Sequence, residues 1–468
     1  MSETHVNTFG GSPLNRLSWL RPSHPFLNGI AALPSTKWLL FNSGQPLVAS
    51  TLEAPSKSTP VYLSTNDVKP FLGEDPYFGQ GKSIGEVVSE EGAPEHSPTE
   101  AVRHRGGRIV FLGLHEPQSG DKGALPSSEF KDPESALAKI HGTPYFALDV
   151  ADLELSPEQI QDILKKSTPG TEGRELSWTE PRALMSTLDN FSAAIFASAR
   201  SMVDWNQRNK FCPACGSPTY SMWGGWKIAC STLLPWSDNS GRKLCPTAKG
   251  LHNFTHPRTD AVVIMIAIDE TGDKVLLGRG RKFPGKFYSA LAGFIEPGES
   301  FEDAVAREMW EEAGVNVWNV KYHSGQPWPY PANLMVGFYA RADSKQTIRT
   351  DLDNELVDAR WFTREEVLAV LNHKSGTRFG RNDYKKMSEM VDGKDPQKPE
   401  TEPAVQAFTP SEATAKAPEA KVEQYETPFR VPPITAIAGV LIKDWAEGRI
   451  GFSVDGGDTT VIMQKGNL

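Results

Sequence analysis

Glu308, Glu311 and Glu312 are the residues of this chain with the clearest chemical capacity. They stand at i, i+3 and i+4 of the run Ser300 to Ala313, which is rich in Ala and Glu. On a helix that spacing puts all three carboxylates on one face, while Phe301, Val305 and Met309 form a separate apolar stripe. Three like charges so close together repel unless a cation joins them. Hard oxygen donors suit Mg²⁺ or Mn²⁺, and Mg²⁺ commonly joins protein carboxylates to substrate phosphates. Arg307 is placed to offset part of the charge by pairing with Glu299 or Glu311. A helix face that is acidic merely because it is solvated is the common alternative.

A second set is the four cysteines, the only ones in the chain. Cys212 and Cys215 form a Cys-x-x-Cys followed by Gly216, and Cys230 and Cys245 follow at intervals of 15 residues. Four thiolates satisfy one tetrahedral zinc, and a closed four-cysteine site is structural because it keeps no open position. A redox Cys-x-x-Cys is the competing reading, but it leaves Cys230 and Cys245 unexplained. The split second pair departs from the usual two Cys-x-x-Cys knuckles, which an inserted loop accommodates.

A third set is Ser324-Gly-Gln-Pro-Trp-Pro-Tyr-Pro-Ala-Asn333. Its prolines impose a stiff extended segment that presents Trp328 and Tyr330, planar rings suited to stacking on a base or nicotinamide. A proline-rich surface loop with core aromatics has the same composition.

The elements that position these groups can be read from pattern. Pro297 and Gly298 mark a turn before the acidic helix, and Gly314 is its stop. Trp38–Phe41, Ile109–Leu112 and Tyr145–Leu148 read as strands. Ser156-Pro157-Glu158-Gln159 reads as a capped helix start. Leu184, Leu188, Phe191, Ile195, Ala199, Met202 and Trp205 recur at helical spacing, predicting one long core helix. Residues 391–427, rich in Pro, Glu, Ala and Lys, are expected to be a disordered insertion.

The segment from Gly293 to Val315 matches the Nudix box, Gly-x5-Glu-x7-Arg-Glu-U-x-Glu-Glu-x-Gly-U with U apolar, at every position. Seven fixed letters at about one in twenty each make a chance match on the order of 10⁻⁹ per start. The chain is therefore identified as resembling a Nudix hydrolase. The run from Ser324 to Asn333 resembles the Ser-Gln-Pro-Trp-Pro-Phe-Pro-x-Ser array of NADH pyrophosphatases within that family. Tyr330 replaces Phe, Gly325 stands where Ser would precede Gln326, and Asn333 replaces the closing Ser. The zinc element directly before the Nudix segment, His256-Pro-Arg at its entry, Glu355 in Asn-Glu-Leu, and Pro432-Pro433 ahead of Ile437-Ala438 agree with that resemblance.

The resemblance implies an α+β chain: an N-terminal α/β-type domain (1–205), a zinc ribbon (206–256) and a Nudix α/β/α sandwich (257–390), completed by a helix and tail in 428–468. It implies two or three Mg²⁺ or Mn²⁺ ions held by Glu308, Glu311, Glu312, Glu355 and the carbonyl of Ala292. Glu311 and Glu312 are the candidate catalytic residues, with Glu312 preferred as the base. One structural Zn²⁺ is expected on Cys212, Cys215, Cys230 and Cys245. Substrate contacts are expected from His256, Phe294, Gln326, Pro327, Trp328, Pro329, Tyr330, Pro331, Ala332, Asn333 and Ala438. His256 stands where the family carries an aromatic against the adenine. The implied reaction is hydrolysis of NADH or NAD⁺ to NMNH or NMN and AMP, with removal of NAD caps from RNA as a second substrate of the same chemistry. A Nudix enzyme for ADP-ribose or diadenosine polyphosphates, and a catalytically dead zinc-ribbon sensor or scaffold, are the alternatives. A homodimer is implied.

Composition excludes other classes. Of 468 residues, 49 are basic and 58 acidic, a net charge of −9, so bulk electrostatics would not hold nucleic acid. The longest apolar run, Ala261–Ile268, falls short of the roughly 20 residues a membrane span needs, and the N-terminal residues show no secretory pattern. The last residues, Gly466-Asn-Leu468, lack the small-basic pair of a Ser-Lys-Leu peroxisomal address. Cytoplasm is the expectation, with a peroxisomal route open through another signal or a partner.

Overall fold

The computed structural model describes residues 6–51, 54–88, 100–116, 133–185, 187–248, 252, 254–281, 283, 285–353, 355–378 and 427–450. The insertion expected over 391–427 lies outside these up to 426, as does the tail after 450. The chain parts into two compact units. Among described residues one comprises 263–324 and 336–450, and the other 6–262 and 325–335.

The unit that holds most of the N-terminal half is built on a seven-stranded mixed sheet. Its strands are β1 (Leu14–Asn15), β2 (Lys37–Asn42), β3 (Gln45–Thr51), β4 (Ala54–Pro60), β5 (Ile109–His115), β6 (Thr143–Asp149) and β7 (Glu175–Trp178), in the order β1-β5-β6-β2-β3-β4 with β7 on β3. The β2–β6 pairing is parallel, and β1–β5, β5–β6, β2–β3, β3–β4 and β3–β7 are antiparallel. The three apolar runs expected to be strands are β2, β5 and β6. Trp38, Phe111 and Phe146 pack between them and the helices α1 (His24–Ala32) and α2 (Thr65–Leu72) in one core. Ser156 and Gln159 form a reciprocal capping box on α3 (Pro157–Lys166), as their spacing foretold.

The long core helix is α4 (Asn190–Arg208), shorter than the apolar stripe predicted. Asp189 caps it by accepting from Ser192 N–H, and Leu184 belongs instead to a 3₁₀ turn at Pro181–Leu184. A side-chain oxygen at 189 and a proline at 181 both favour chain breaks, which apolar periodicity does not register. The Arg108 guanidinium closes the C-terminal end of α4. It donates to Asn206 O at 2.8 Å and also to Thr219 Oγ1 at 2.7 Å, tying the helix to the cysteine-bearing segment. That segment carries a two-stranded antiparallel sheet, β8 (Thr219–Met222) and β9 (Lys227–Cys230).

The other unit is built around most of a six-stranded sheet, the segments 260–262, 325–328 and 333–335 of its strands belonging to the first unit. Its strands are β10 (Asp260–Ile268), β11 (Lys274–Gly280), β12 (Leu291–Phe294), β13 (Val317–Trp328), β14 (Asn333–Ala342) and β15 (Leu356–Thr363), in the order β13-β14-β10-β11-β15 with β12 on β10. Helix α5 (Phe301–Ala313) turns Ala304, Val305, Met309 and Ala313 into the core formed by Val263, Met265, Leu276 and Phe338. Phe301 ends the expected stripe but stays 41% exposed, its ring tilted against Phe338 at 5.8 Å between centroids. Helix α6 (Arg364–Leu371) follows β15, and α7 (Ile437–Ala446) closes the unit. On α7, the carbonyl of Leu441 accepts from Tyr339 Oη at 2.7 Å, and Asp444 accepts from His323 Nε2 at 3.2 Å.

Candidate active site and metal centre

The acidic helix is set at both ends by local chemistry. Ser300 caps α5 and forms a reciprocal capping box with Asp303. Gly314 terminates it in the left-handed region, at φ 67°. Between these ends the three glutamates lie on one face as expected, and Arg307 links two of them, Glu308 and Glu311, to the preceding loop. Its guanidinium donates to Glu299 Oε1 at 2.6 Å, Glu308 Oε1 at 2.7 Å, Glu311 Oε2 at 2.9 Å and the Phe294 carbonyl at 2.8 Å. Five donors in a planar fork permit that division, which a lysine could not match. Arg307 therefore fastens the loop after β12 to the helix while offsetting its charge. These pairings raise the proton affinity of Arg307 and lower that of Glu299.

Glu312 is the most enclosed carboxylate, 4% exposed, and accepts the Ala292 N–H at 3.0 Å. Burial, then the charge of Glu308, pushes its pKa well above the usual carboxylate range, and Glu355 and Asp353 add to the effect. Glu308 is raised as well. Its burial, with Glu311 and Glu355 nearby, outweighs the pairing with Arg307. Glu355 itself is exposed, and its backbone carbonyl accepts from Arg281 N–H at 3.3 Å. Its electrostatic reach to Glu308 and Glu312 brings the predicted distal acid into the cluster. Asp353 was missed by sequence reading, although the acidic run from Asp351 to Glu355 signals it.

Gly293 explains the glycine that opens the box. A Cβ there would fall on the Glu308 carboxylate, so only glycine admits that side chain against β12. Phe294, next in the chain, is 57% exposed and presents a free ring face. Ala438 is buried on α7, in the turn after Ile437, whose side chain packs at Gly337 of β14.

The donor set fits hard divalent ions. Several carboxylates are gathered with too little cationic charge to balance them, and the two most enclosed, Glu308 and Glu312, are both shifted toward protonation. An oxygen-only cluster of this kind is what Mg²⁺ or Mn²⁺ would stabilise.

In the other unit the proline-rich run is held rather than free. Gln326 is fully buried and its amide donates to Thr8 O at 3.1 Å. Asn7 Nδ2 donates to Gly325 O at 2.9 Å. Phe9 meets Trp328 and Tyr330 edge-on, each at 6.2 Å between ring centroids. Tyr330 is only 9% exposed, with the Arg182 guanidinium 4.9 Å from its ring centre and its hydroxyl donating to Pro181 O. The expectation of two exposed rings is thus corrected at Tyr330: an aromatic neighbour and a cation cover it, whereas Trp328 stays half-exposed. Pro327 is half-buried, Pro329 buried and Pro331 exposed; Ala332 accepts Asp260 N–H at 3.3 Å, and Asn333 opens β14. The role of Asn7 to Phe9 went unread because a short polar stretch at a chain start carries no periodic signal. His256 bonds Thr255 Oγ1 at 3.0 Å through Nδ1, and its ring lies 5.8 Å from Trp223. Burial, then Lys227 and Arg258, lower its proton affinity.

The four cysteines converge, with all sulfurs within 4.8 Å of one another. Cys212 and Cys245 are 3.7 Å apart and Cys215 and Cys230 are 3.3 Å apart, against roughly 3.8 Å between sulfurs tetrahedral on zinc. The Cys-x-x-Cys turn closes with Gly216 N–H on Cys212 O, at 2.8 Å, Gly216 sitting at φ 72°. Cys230 ends β9, and the 231–244 loop returns the chain to Cys245. Hydroxyls two positions on approach their sulfurs, Thr232 at 3.0 Å from Cys230 and Thr247 at 3.1 Å from Cys245. Burial pushes the Cys212 thiol up to about 12, while Ser217 hydrogen bonds lower Cys215 to about 6. The four sulfurs are placed to fit one metal ion, with hydroxyl groups already set against two of them.

These features define a Nudix hydrolase of the NADH pyrophosphatase type, and the chain belongs to that family. Residues 257–382 match the NUDIX domain, and residues 35–205 match the NADH pyrophosphatase-like rudimentary NUDIX domain. The chain is 34% identical over 363 residues to an NAD-capped RNA hydrolase of Schizosaccharomyces pombe, covering 78% of this chain and 85% of that protein. It is 30% identical over 384 residues to one from Saccharomyces cerevisiae, covering 80% of this chain and 89% of the relative. Against the human NAD-capped RNA hydrolase it is 47% identical over 191 residues, covering 41% of this chain and 39% of the human protein. No helix among the described residues is long and apolar enough to cross a membrane.

Proposed function

We propose that this chain is an NAD(H) diphosphatase that splits NADH or NAD⁺ into NMNH or NMN and AMP, and that it removes NAD from the 5′ end of capped RNA. The observation that carries the reading is the gathering of Glu308, Glu311, Glu312 and Glu355, with Arg307 paired to Glu308 and Glu311, in a chain of this family. The names of its relatives support the substrate. Glu308, Glu311, Glu312, Glu355 and the Ala292 carbonyl would hold two or three Mg²⁺ or Mn²⁺ ions, which when bound neutralise charge on a diphosphate and acidify water. Water attacks one phosphorus of the anhydride in line, and the bridging oxygen leaves on the other nucleotide. Glu312 is the proposed base: the Ala292 N–H fixes it, and its raised proton affinity suits it to take the proton of the attacking water. Arg307 keeps Glu308 and Glu311 in register. The exposed Phe294 ring and the half-exposed Trp328 are the stacking candidates, with Gln326 and Tyr330 positioning the run that bears Trp328. His256, Pro327, Pro329, Pro331, Ala332, Asn333 and Ala438 are proposed as further substrate-lining residues. The cysteines hold one structural Zn²⁺, and the working form is a homodimer.

The test is direct. Purified protein with Mg²⁺ or Mn²⁺ is incubated separately with NADH, NAD⁺, ADP-ribose and NAD-capped RNA, and the products are resolved. NMNH and AMP from NADH are expected, together with 5′-monophosphorylated RNA from the capped substrate. Turnover of ADP-ribose alone would overturn the assignment.

A further inference from the structure

The loop between the third and fourth cysteines is larger than metal binding requires. Residues 231–244 carry Arg242 and Lys243 against one carboxylate, Asp238, in a chain whose overall charge is −9. Asp238 is already engaged, accepting from Ser240 N–H at 2.9 Å and Ser240 Oγ at 2.6 Å. Arg242 and Lys243 are exposed and line a cavity of about 410 Å³ together with Ser217, Thr232, Asn239 and two of the cysteines, Cys215 and Cys245. Among the described residues neither cation makes an ion pair or a side-chain hydrogen bond, although the charge of Arg242 reaches Asp238 and, after the Ser240 hydrogen bonds, helps hold its carboxyl low. Asn239 stiffens the wall by donating from Nδ2 to Thr232 O at 2.7 Å and accepting Arg242 N–H at 3.0 Å. The cysteines' own hydrogen bonds are supplied by Ser217, Thr232 and Thr247, not by these cations.

Two exposed cations without a direct ion pair, in a cavity that also offers hydroxyl and amide groups, suit phosphate oxygens. Exposed apolar side chains flank the lining residues: Leu244, between Lys243 and Cys245, is 58% exposed, and Phe211, bridged to Pro218 next to the lining Ser217, is 65% exposed. Backbone cations with adjacent apolar and ring surface are the combination that holds single-stranded nucleic acid, whereas free phosphate has no use for the apolar part. We propose that this cavity beside the four-cysteine cluster is a binding site for the phosphodiester backbone of single-stranded RNA, with Arg242 and Lys243 as its anchors. The proposal rests on the capped-RNA reading only for the identity of that RNA. With an acidic molecule overall, capture is local and involves a phosphate or two.

The full-length, zinc-loaded protein is titrated into a short, uncapped, fluorescein-labelled RNA with a 5′-hydroxyl end, and anisotropy is followed over a salt series. R242Q/K243Q is expected to weaken binding about 10-fold and to flatten the slope of log K against log salt by about 1.4, or 0.7 for each of two phosphate contacts. Zinc content and NADH turnover should match the wild type. Unchanged affinity and slope would overturn the site. Loss of zinc in the variant would also overturn it, assigning the cations to the charge balance of the cluster. Displacement of the RNA by millimolar inorganic phosphate at fixed ionic strength would identify a free-phosphate site instead. An RNA with a 5′-hydroxyl end has no anhydride to hydrolyse, so with that probe the binding readout and the proposed diphosphatase activity fail separately.

Discussion

Glu312 concentrates the electrostatic problem of this site in one side chain. It is buried among Glu308, Glu355 and Asp353, and a single backbone N–H, from Ala292, favours its charged form. Without a divalent ion the folded protein therefore holds a proton there that the unfolded chain releases at ordinary carboxylate pH. Stability from this group is complete at low pH and is lost as pH rises from the ordinary carboxylate range through the raised value. E312Q keeps an acceptor for Ala292 but cannot ionise. Without added Mg²⁺ or Mn²⁺, it should melt about 2–4 °C above the wild type at pH 7, and the gap should close near pH 4. The same variant should lose about 10²–10⁴-fold in kcat. Thermal scans at the two pH values and steady-state assays check both. A variant that melts lower at neutral pH would show that the carboxylate is not held against its preference. The residue identities were legible beforehand because the box fixes them by spacing. Which carboxylate would be enclosed was not, since burial of Glu312 depends on where β12 lies.

At the level of elements, the site depends on a loop and a helix meeting at one point. The chain leaves β12 at Gly293–Phe294 and returns as α5, and Arg307 bonds both the Phe294 carbonyl and Glu308. Gly293 is where the two come closest. Restoring a Cβ with G293A would push Glu308 from its place. A displacement of about 1 Å at reacting groups costs on the order of 10²-fold in rate. G293A should therefore lose about that much in kcat, with zinc content unchanged because the cysteines belong to the other unit. Metal analysis and kinetics on the same preparation separate this from general misfolding. The caps of α3 and α5 show why some elements were readable: Ser156 with Gln159, and Ser300 with Gly314, are local signals. Other assemblies were not local. Cys230 and Cys245 reach Cys212 and Cys215 only through β9 and the 231–244 loop, and Tyr330 is covered by Phe9 and Arg182, residues remote from it in sequence.

Across the whole molecule, the first two hundred residues were the least legible part. Residues 35–205 match a rudimentary NUDIX domain, yet no Arg-Glu-apolar-x-Glu-Glu run occurs there. What remains is a set of short apolar strands, which many folds share. The family's signature is catalytic, and a copy without those letters leaves no trace in spacing. The two compact units have separate cores, one around Trp38, Phe111 and Phe146 and the other around Met265, Met309 and Phe338. The two proposed metal centres also divide between them: the cysteines fall in one unit and the box glutamates in the other. A ligand stabilises the cooperative unit that binds it by RT ln(1 + L/Kd), where L is the free ligand concentration. Calorimetry of the full chain should therefore resolve two transitions that answer to different metals. Millimolar Mg²⁺ should raise only the transition of the unit with the box, and E312Q should blunt that rise. Stripping the thiolate-bound metal with a mercurial reagent should lower only the other, by several degrees, since structural zinc contributes directly to folding free energy. A single transition responding to both treatments would mean that the molecule melts as one cooperative body, with metal affinity at either centre coupled to the other.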